Sequence, residues 1–573
     1  MIAPNITIPS TMTNSGSGAS DGNPVVTYSN VMSRRLRTLW LVLGNIGLVG
    51  AFSAIAGFAS WSDGVVLAVM SATIRGTGRR LLAVLAVALF TASFPPLSWP
   101  TFWFCLTPLI WIWRERHLTR TIVRDVLEAV AVGFSMGWLS TGFVRDAVPV
   151  WGGVLHSVAC LVFSLQFVGL AVAVRYMRDW PIFIAAASSA TVAVAGELLE
   201  AVCGVAWSVT SFSLAAAHTP VAQWAATVTP FGVSGILYLV NFLFVRNQSP
   251  VFWLRWTGPI SGVGIAAAAW SGGSLLASGT RVEPLPFSVM LVQPHVRASV
   301  NIPWRPWMEL DPLTRSSLAQ SGGMDLIVWP EACLSESQYD DQTAVRNDVA
   351  TRLTVQDFTQ TLQPLYQTSC LVGVSMWKRE TTHRYGLEVA DVRRYNCGCL
   401  VSGPGEIMCH EKQALVPFKE GLPGWLNQGW IRGRILSALR LHAPFTPGSQ
   451  FRMLSFRDRH QQQRMIAVCV CYESFLPWLP QYRKTAPVDA IVHLVYDGDS
   501  IDHPELLQRQ ILACRYRAIE TRTWNLVCST WSGSAIIDPV GRVVCQLPAT
   551  AGVLRSDDLG SSKVARLSGG SPP

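Results

Sequence analysis

The chain has 573 residues, of which 50% are hydrophobic and only 14% charged, against roughly 25% charged in soluble domains. An apolar excess of that size argues against a wholly water-soluble protein. The formal charge of +9 is no argument for a nucleic-acid partner, because many arginines lie between apolar segments and no basic run is interleaved with aromatics.

Residues 1–38 open with "MIAPNITIPSTMTNSGSGASDGNP", polar and without the basic start and apolar core of a signal peptide, so a flexible cytoplasmic arm is expected. Residues 39–280 form a series of long apolar segments. A bilayer core needs about 20 apolar residues per helix. By that measure the candidate spans are Leu39–Ser60, Leu81–Phe94, Trp99–Trp113, Leu127–Phe143, Val154–Val174, Ile182–Cys203, Trp224–Phe244 and Val251–Ala269. Gly64–Ile74 is too short to span, and pairs with Leu39–Ser60 as a hairpin or re-entrant turn.

The arginines set an expected topology. Arg34, Arg35 and Arg37, then Arg75, Arg79 and Arg80, then Arg114, Arg116, Arg120 and Arg124 fall in alternate loops, followed by Arg175 with Arg178 and Arg246 with Arg255. The intervening loops Pro95–Pro100 and Gly204–Gln223 contain no Lys or Arg. Positive loops face the cytoplasm, which places everything from about Arg281 onward outside, in the periplasm of a bacterial inner membrane. Glu197 and Glu200 end one span, where acidic groups are costly and often functional.

From Pro284 to residue 548 the pattern changes to short β-rich runs. Residues 287–294, 325–330, 370–376, 465–471, 489–495 and 525–530 read as strands, and Asp341–Leu362 and Glu505–Glu520 as helices. Buried strands alternating with helices predict an α/β layered domain. "GPGE" at 403–406 reads as a turn, and residues 549–573 as a polar tail. The 13 cysteines show no CxxC pair and no zinc spacing, so no metal is expected, a disulfide scaffold is not, and most are read as small buried hydrophobes.

Three stretches carry chemistry. "LIVWPEACL" ends an apolar strand on a proline and delivers the Glu331 carboxylate. "HEKQALVPFKEGLP" sets Lys412 before an apolar patch and Glu420 after it. "MIAVCVCYESFLP" holds Cys469 and Cys471, which strand alternation places on one face, followed by Tyr472 and Glu473. Each alone has an ordinary structural reading: a solvated Glu, a loop Lys, a core Cys.

Taken in order, these stretches resemble the nitrilase superfamily. With "FPPLSWP" (94–100), "GVAWSVTSFSL", "TPFGVSGILYLVNFLF", "VQPHV", "RYNCGCLV", "RYRAIETR" and "GSAIIDPVGRVV", the chain is similar to the apolipoprotein N-acyltransferase family from about Arg79 to Leu554. The resemblance implies an α-helical polytopic membrane domain of about seven to nine segments followed by an α/β nitrilase-like αββα sandwich domain. It implies a catalytic triad of Glu331, Lys412 and Cys471 supported by Glu420, Glu473 and Tyr472, and no cofactor. It further implies a phospholipid acyl donor and a lipoprotein or other membrane-anchored acceptor.

The sequence departs from that pattern at several points. His410 and Glu411 stand where a tyrosine and an acidic residue are usual, and Lys419 replaces a small residue. The loop after residues 489–495 is reduced to "YDGDS", with Tyr496 where an asparagine is usual. The tail contains no apolar run for a final transmembrane helix, and residues 39–74 look like an addition. A divergent relative acting in plasmid conjugal transfer, or a non-catalytic assembly factor, is the alternative reading.

Overall fold

The computed structural model describes residues 61–558 apart from 75–76, 96, 99, 116–120, 143–144, 146–151, 204–210, 246–250, 296–305, 322, 337–353, 385–386, 404, 425, 428, 440–443, 477–486 and 499–502. The expected arm, the span Leu39–Ser60, residues 341–353 of an expected helix and residues 559–573 of the expected tail lie outside the described residues. The start of that tail is not a free end, because Gly552–Arg555 form a strand paired antiparallel with Val289–Gln293.

The N-terminal half is helical: α1 (Trp61–Thr73), α2 (Thr77–Ala92), α3 (Thr107–Arg114), α4 (Ile122–Ser140), α5 (Gly152–Tyr176), α6 (Ile182–Cys203), α7 (Ala225–Leu243) and α8 (Phe252–Gly279). Four stretches among the described residues are long and apolar enough to cross a membrane: Gly152–Tyr176, Ile182–Val202, Pro220–Leu243 and Phe252–Gly279. The expected span Trp99–Trp113 is not one helix. A single 3₁₀ turn (Pro100–Trp103) precedes α3, whose eight residues reach only about 12 Å. The break is held from α7, where Asn241 Oδ1 accepts from Leu106 N at 2.8 Å and Nδ2 donates to Phe102 O at 2.8 Å. The last span runs ten residues past its expected end at Ala269, because small Ala, Ser and Gly residues continue the helix to Gly279.

The C-terminal half contains two stacked sheets. The first has the order β13-β1-β2-β4-β5-β6, with β3 also on β4; the second has the order β12-β11-β10-β9-β8-β7. The strands are β1 (Val289–Gln293), β2 (Leu326–Val328), β3 (Leu334–Glu336), β4 (Ser369–Arg384), β5 (Leu387–Gly403), β6 (Glu406–Glu411), β7 (Met453–Arg457), β8 (Gln463–Val470), β9 (Ala490–Val495), β10 (Trp524–Ser529), β11 (Ala535–Ile537), β12 (Val543–Gln546) and β13 (Gly552–Arg555). All six expected strands are present, as β1, β2, β4, β8, β9 and β10. The central parallel strands are buried on both faces, which explains their unbroken apolar runs.

Inward side chains of both sheets form one core, including Leu291, Val328, Leu400, Val468, Leu494 and Leu526. Helix α9 (Trp307–Ser321) and the helical segment 355–366 cover the outer face of the first sheet. Helix α11 (Pro504–Thr521) covers the second; α10 (Gly429–Ala438) lies in the long connection after β6. The arrangement is the expected αββα sandwich. At the ends of the "GPGE" stretch Gly403 of β5 pairs with Glu406 of β6, and Gly405 between them has φ 81°.

The two halves meet along α11. Tyr516 Oη donates to Ser213 O at 2.7 Å, Arg522 Nη1 to Gln223 Oε1 at 2.8 Å, and Gln223 Nε2 to Val540 O at 2.7 Å.

Candidate active site

Glu331 sits just past β2. Trp329 and Pro330 carry the chain off the ladder, with Gly373 N donating to Pro330 O at 3.2 Å. This crossing is so close that a Cβ on Gly373 would lie 2.3 Å from Pro330 O and 2.5 Å from Glu331 Cα, so only glycine fits there. The carboxylate is 4% exposed. Its Oε1 accepts from Asn396 Nδ2 at 2.7 Å and its Oε2 from Tyr496 N at 2.8 Å.

Lys412 follows β6 and is 1% exposed. Its Nζ lies 2.8 Å from Glu420 Oε1 and 3.6 Å from Glu331 Oε1. Glu420 is delivered by a tight turn in which Phe418, at φ 63°, donates its N–H to Gly421 O at 2.7 Å. The other Glu420 oxygen accepts from Val416 N at 2.7 Å. Asn396 Nδ2 also reaches Glu420 Oε1 at 3.1 Å, so one amide joins both carboxylates.

Cys471 begins the 3₁₀ turn Cys471–Phe475 that ends β8, and its φ is 51°. That left-handed backbone overturns the expectation that Cys469 and Cys471 share a face. Cys469 is still in the strand and packs outward with Ala467 and Ile491, whereas Cys471 packs against the core between the sheets. Of the free cysteines assigned a burial among the described residues, Cys471 alone is half-buried, and the others are fully buried. Cys399 and Cys409 face each other across β5 and β6 as a disulfide, a pair the spacing did not single out.

The supporting residues divide by role. Glu473 turns its carboxylate to backbone: Oε2 accepts from Val470 N at 2.8 Å, and Oε1 from Gln413 N at 2.6 Å and Ala414 N at 3.2 Å. It therefore ties the Cys471 turn to the Lys412 loop. His410, in place of the usual tyrosine, lies 3.5 Å from Glu473 and edge-on to Phe451. Tyr472 is buried and packs beside Phe475. Tyr496 supplies its backbone amide to Glu331, a contact that any residue except proline could make at that position. Asn396 was not singled out by sequence reading; the signal was a lone amide inside the strand "RYNCGCLV".

The electrostatics follow from two carboxylates facing one ammonium. Burial pushes the Glu331 carboxyl up, Lys412 opposes that, and the balance stays above the ordinary value. Burial works against the Lys412 charge, but Glu420 and Glu331 overcome it and hold the amine above its usual range. Burial and then Glu331 raise the Cys471 thiol, while Lys412 and the nearby Lys419 draw it down in part. A thiol beside a buried carboxylate of raised basicity and a fixed cation can give up its proton, attack a carbonyl and have the resulting oxyanion stabilised.

Residues 86–243 match the family described as apolipoprotein N-acyltransferase N-terminal domain, and residues 298–557 the family described as carbon-nitrogen hydrolase. Among curated proteins, the chain is 28% identical over 269 residues to apolipoprotein N-acyltransferase of Pseudomonas putida, covering 46% of each chain. It is 28% identical over 298 residues to the Pseudomonas syringae pv. tomato protein of that name, covering 50% of this chain and 51% of the relative. It is 26% identical over 158 residues to apolipoprotein N-acyltransferase 2 of Treponema denticola, covering 27% of this chain and 30% of the relative. The matches thus span about half the length of these relatives or less. Similar solved structures include a nitrilase-superfamily protein of Saccharomyces cerevisiae (12% identical, TM-score 0.31, covering 48% of this chain and 92% of that one). Another is an amidase of Nesterenkonia AN1 (14% identical, TM-score 0.30, covering 50% and 99%).

Proposed function

We propose that this chain, whose residues 86–243 match the apolipoprotein N-acyltransferase N-terminal domain and residues 298–557 the carbon-nitrogen hydrolase family, is a membrane-bound N-acyltransferase working through a Cys471 thioester. The acyl donor is a phospholipid and the acceptor the N-terminal amine of a lipoprotein. The carrying observation is the convergence of Glu331 and Glu420 on Lys412, with charge coupling to a free, half-buried thiol.

In the first step Glu331 takes the Cys471 proton and the sulfur attacks the ester carbonyl of the phospholipid. Lys412 stabilises the tetrahedral oxyanion, and Glu420 holds that ammonium charged and in place. Collapse breaks the ester bond, and the departing lysophospholipid oxygen takes the proton from Glu331. In the second step Glu331 accepts a proton from the lipoprotein amine as its nitrogen attacks the thioester. An amide forms, and Cys471 leaves as a thiolate that recovers the proton. The raised basicity of Glu331 suits both roles.

Donor and acceptor are both lipid-anchored, and four helices long and apolar enough to cross a membrane support a site at its surface. We place the chain in a bacterial inner membrane with the catalytic domain in the periplasm. The Cys399–Cys409 disulfide supports that side, since disulfides persist in oxidising compartments. Purified protein given acyl-labelled phosphatidylethanolamine and a diacylglyceryl-cysteine peptide is expected to yield an N-acylated peptide. Label recovered only as free fatty acid would point to a hydrolase and overturn the transferase reading.

A further inference from the structure

The mechanism leaves one feature of the nucleophile unexplained. A non-glycine residue in the left-handed region is strained and persists only where its surroundings over-determine it. Cys471 is such a residue, and both flanks of its turn are held from within the sandwich. Before it, Val470 N is fixed by Glu473. After it, Ser474 Oγ meets His493 Nδ1 at 2.8 Å, and His493 Nε2 meets Asn525 Oδ1 at 2.7 Å, all three residues buried.

The peptide unit of Cys471 itself is held from another element. Its carbonyl accepts from Gln510 Nε2 at 3.3 Å, and Gln510 is 6% exposed on α11. That helix is the one tied to the membrane half. The neighbouring Arg509 places its guanidinium 5.0 Å over the Phe94 ring, and Tyr516 and Arg522 bond the membrane half directly.

We propose that Gln510 is a positioning residue for the nucleophile: its amide fixes the Cys471 carbonyl, and through α11 it references the left-handed turn to the membrane half. Without that donor the 471–472 peptide is free to rotate toward the ordinary right-handed region, which swings the sulfur relative to Lys412 and Glu331. The effect falls on the chemical step, because Gln510 bonds the Cys471 carbonyl and touches no substrate in the proposed reaction. The inference rests on the acyltransferase reading.

The test uses the full chain in phospholipid nanodiscs and measures thioester formation from acyl-labelled phosphatidylethanolamine. Gln510→Met keeps the side-chain length and removes the donor. It is expected to lower the maximal rate about tenfold, the rate equivalent of a lost hydrogen bond, with half-saturating phospholipid unchanged within about twofold. Gln510→Glu donates only when its carboxyl is protonated, so its rate should recover toward wild type on acidification while the Gln510→Met deficit stays level with pH. A Gln510→Met rate within twofold of wild type, a deficit carried by half-saturation, or a Gln510→Glu profile parallel to Gln510→Met overturns the positioning role. A Gln510→Met protein that does not fold leaves the decision to the Gln510→Glu profile, in which one protein is its own control. Wild type that forms no thioester overturns the functional reading, and this inference with it.

Discussion

Both halves of the molecule bury carboxylates, and they treat them differently. In the helical half Asp125 and Glu128 face arginines, and Glu197 is held by neutral donors. Asp125 pairs with Arg175 at 2.5 Å, and Glu128 with Arg124 at 3.2 Å and Arg79 at 3.4 Å. Glu197 Oε1 accepts from Phe212 N at 3.0 Å and Tyr238 Oη at 3.0 Å, and its Oε2 accepts from Ser211 Oγ at 3.1 Å. In the sandwich, Glu331 and Glu420 share one ammonium and one amide beside a free thiol. A carboxylate matched to its own arginines or wrapped by neutral donors is architecture. Two carboxylates crowded on one cation leave proton affinity to spare, which is what a general base needs.

The largest break in that contrast is Lys412→Met. It removes the oxyanion's cation and leaves two carboxylates facing each other, so turnover should fall by at least about a thousandfold. The variant should also lose roughly 3 kcal/mol of stability, because breaking a buried ion pair strands its partner charges. Activity within tenfold of wild type would remove Lys412 from the reaction. Gly373→Ala comes next. The added methyl must displace Pro330 or Glu331, so acyl transfer should drop about a hundredfold while a melting curve shifts by a few degrees.

Glu520→Gln tests a buried acid outside the site. Burial lifts Glu520 from 4.5 to about 7, against the pull of Arg517 at 3.0 Å. A raised carboxyl stabilises the fold fully below its unfolded value and loses that contribution as pH rises through the folded value. Stability measured against urea should therefore fall in wild type between about pH 4.5 and 7, by no more than about 3 kcal/mol, and the variant should lack that slope. The smallest effect is expected from Glu197→Gln. The substituted amide keeps one acceptor for Phe212 N and Tyr238 and can donate to Ser211, so turnover should stay within about threefold. A loss as deep as that of Lys412→Met would show that the helical half also contributes chemistry.

What the sequence made legible follows from burial. Strands β1, β2, β8, β9 and β10 announce themselves because strands buried on both faces are unbroken apolar runs. Strand β5 stayed hidden because "LEVADVRRYNCGCLVSG" mixes charge into a hairpin partner of β4 and shows no clean alternation. Ile182–Cys203 matches its span end to end, but Trp99–Trp113 failed, since hydropathy does not see the Asn241 side chain that breaks it.

At the site, Glu331, Lys412 and Cys471 were reachable through resemblance, and the structure brings Glu331 and Lys412 within 3.6 Å of each other. Asn396 was not, because a single amide in a strand does not reveal that it bonds two carboxylates. Nor was the left-handed turn at Cys471, which no glycine marks. That turn decides which of two neighbouring thiols faces the carboxylates.

The most direct measurement is intact-protein mass spectrometry after incubation with phosphatidylethanolamine of known acyl composition, followed by peptide mapping under conditions that preserve thioesters. The account predicts one added acyl chain, released by hydroxylamine, on the peptide containing Cys471, and none on Cys471→Ala. An acyl group on another residue, or one that persists unchanged in Cys471→Ala, would contradict it.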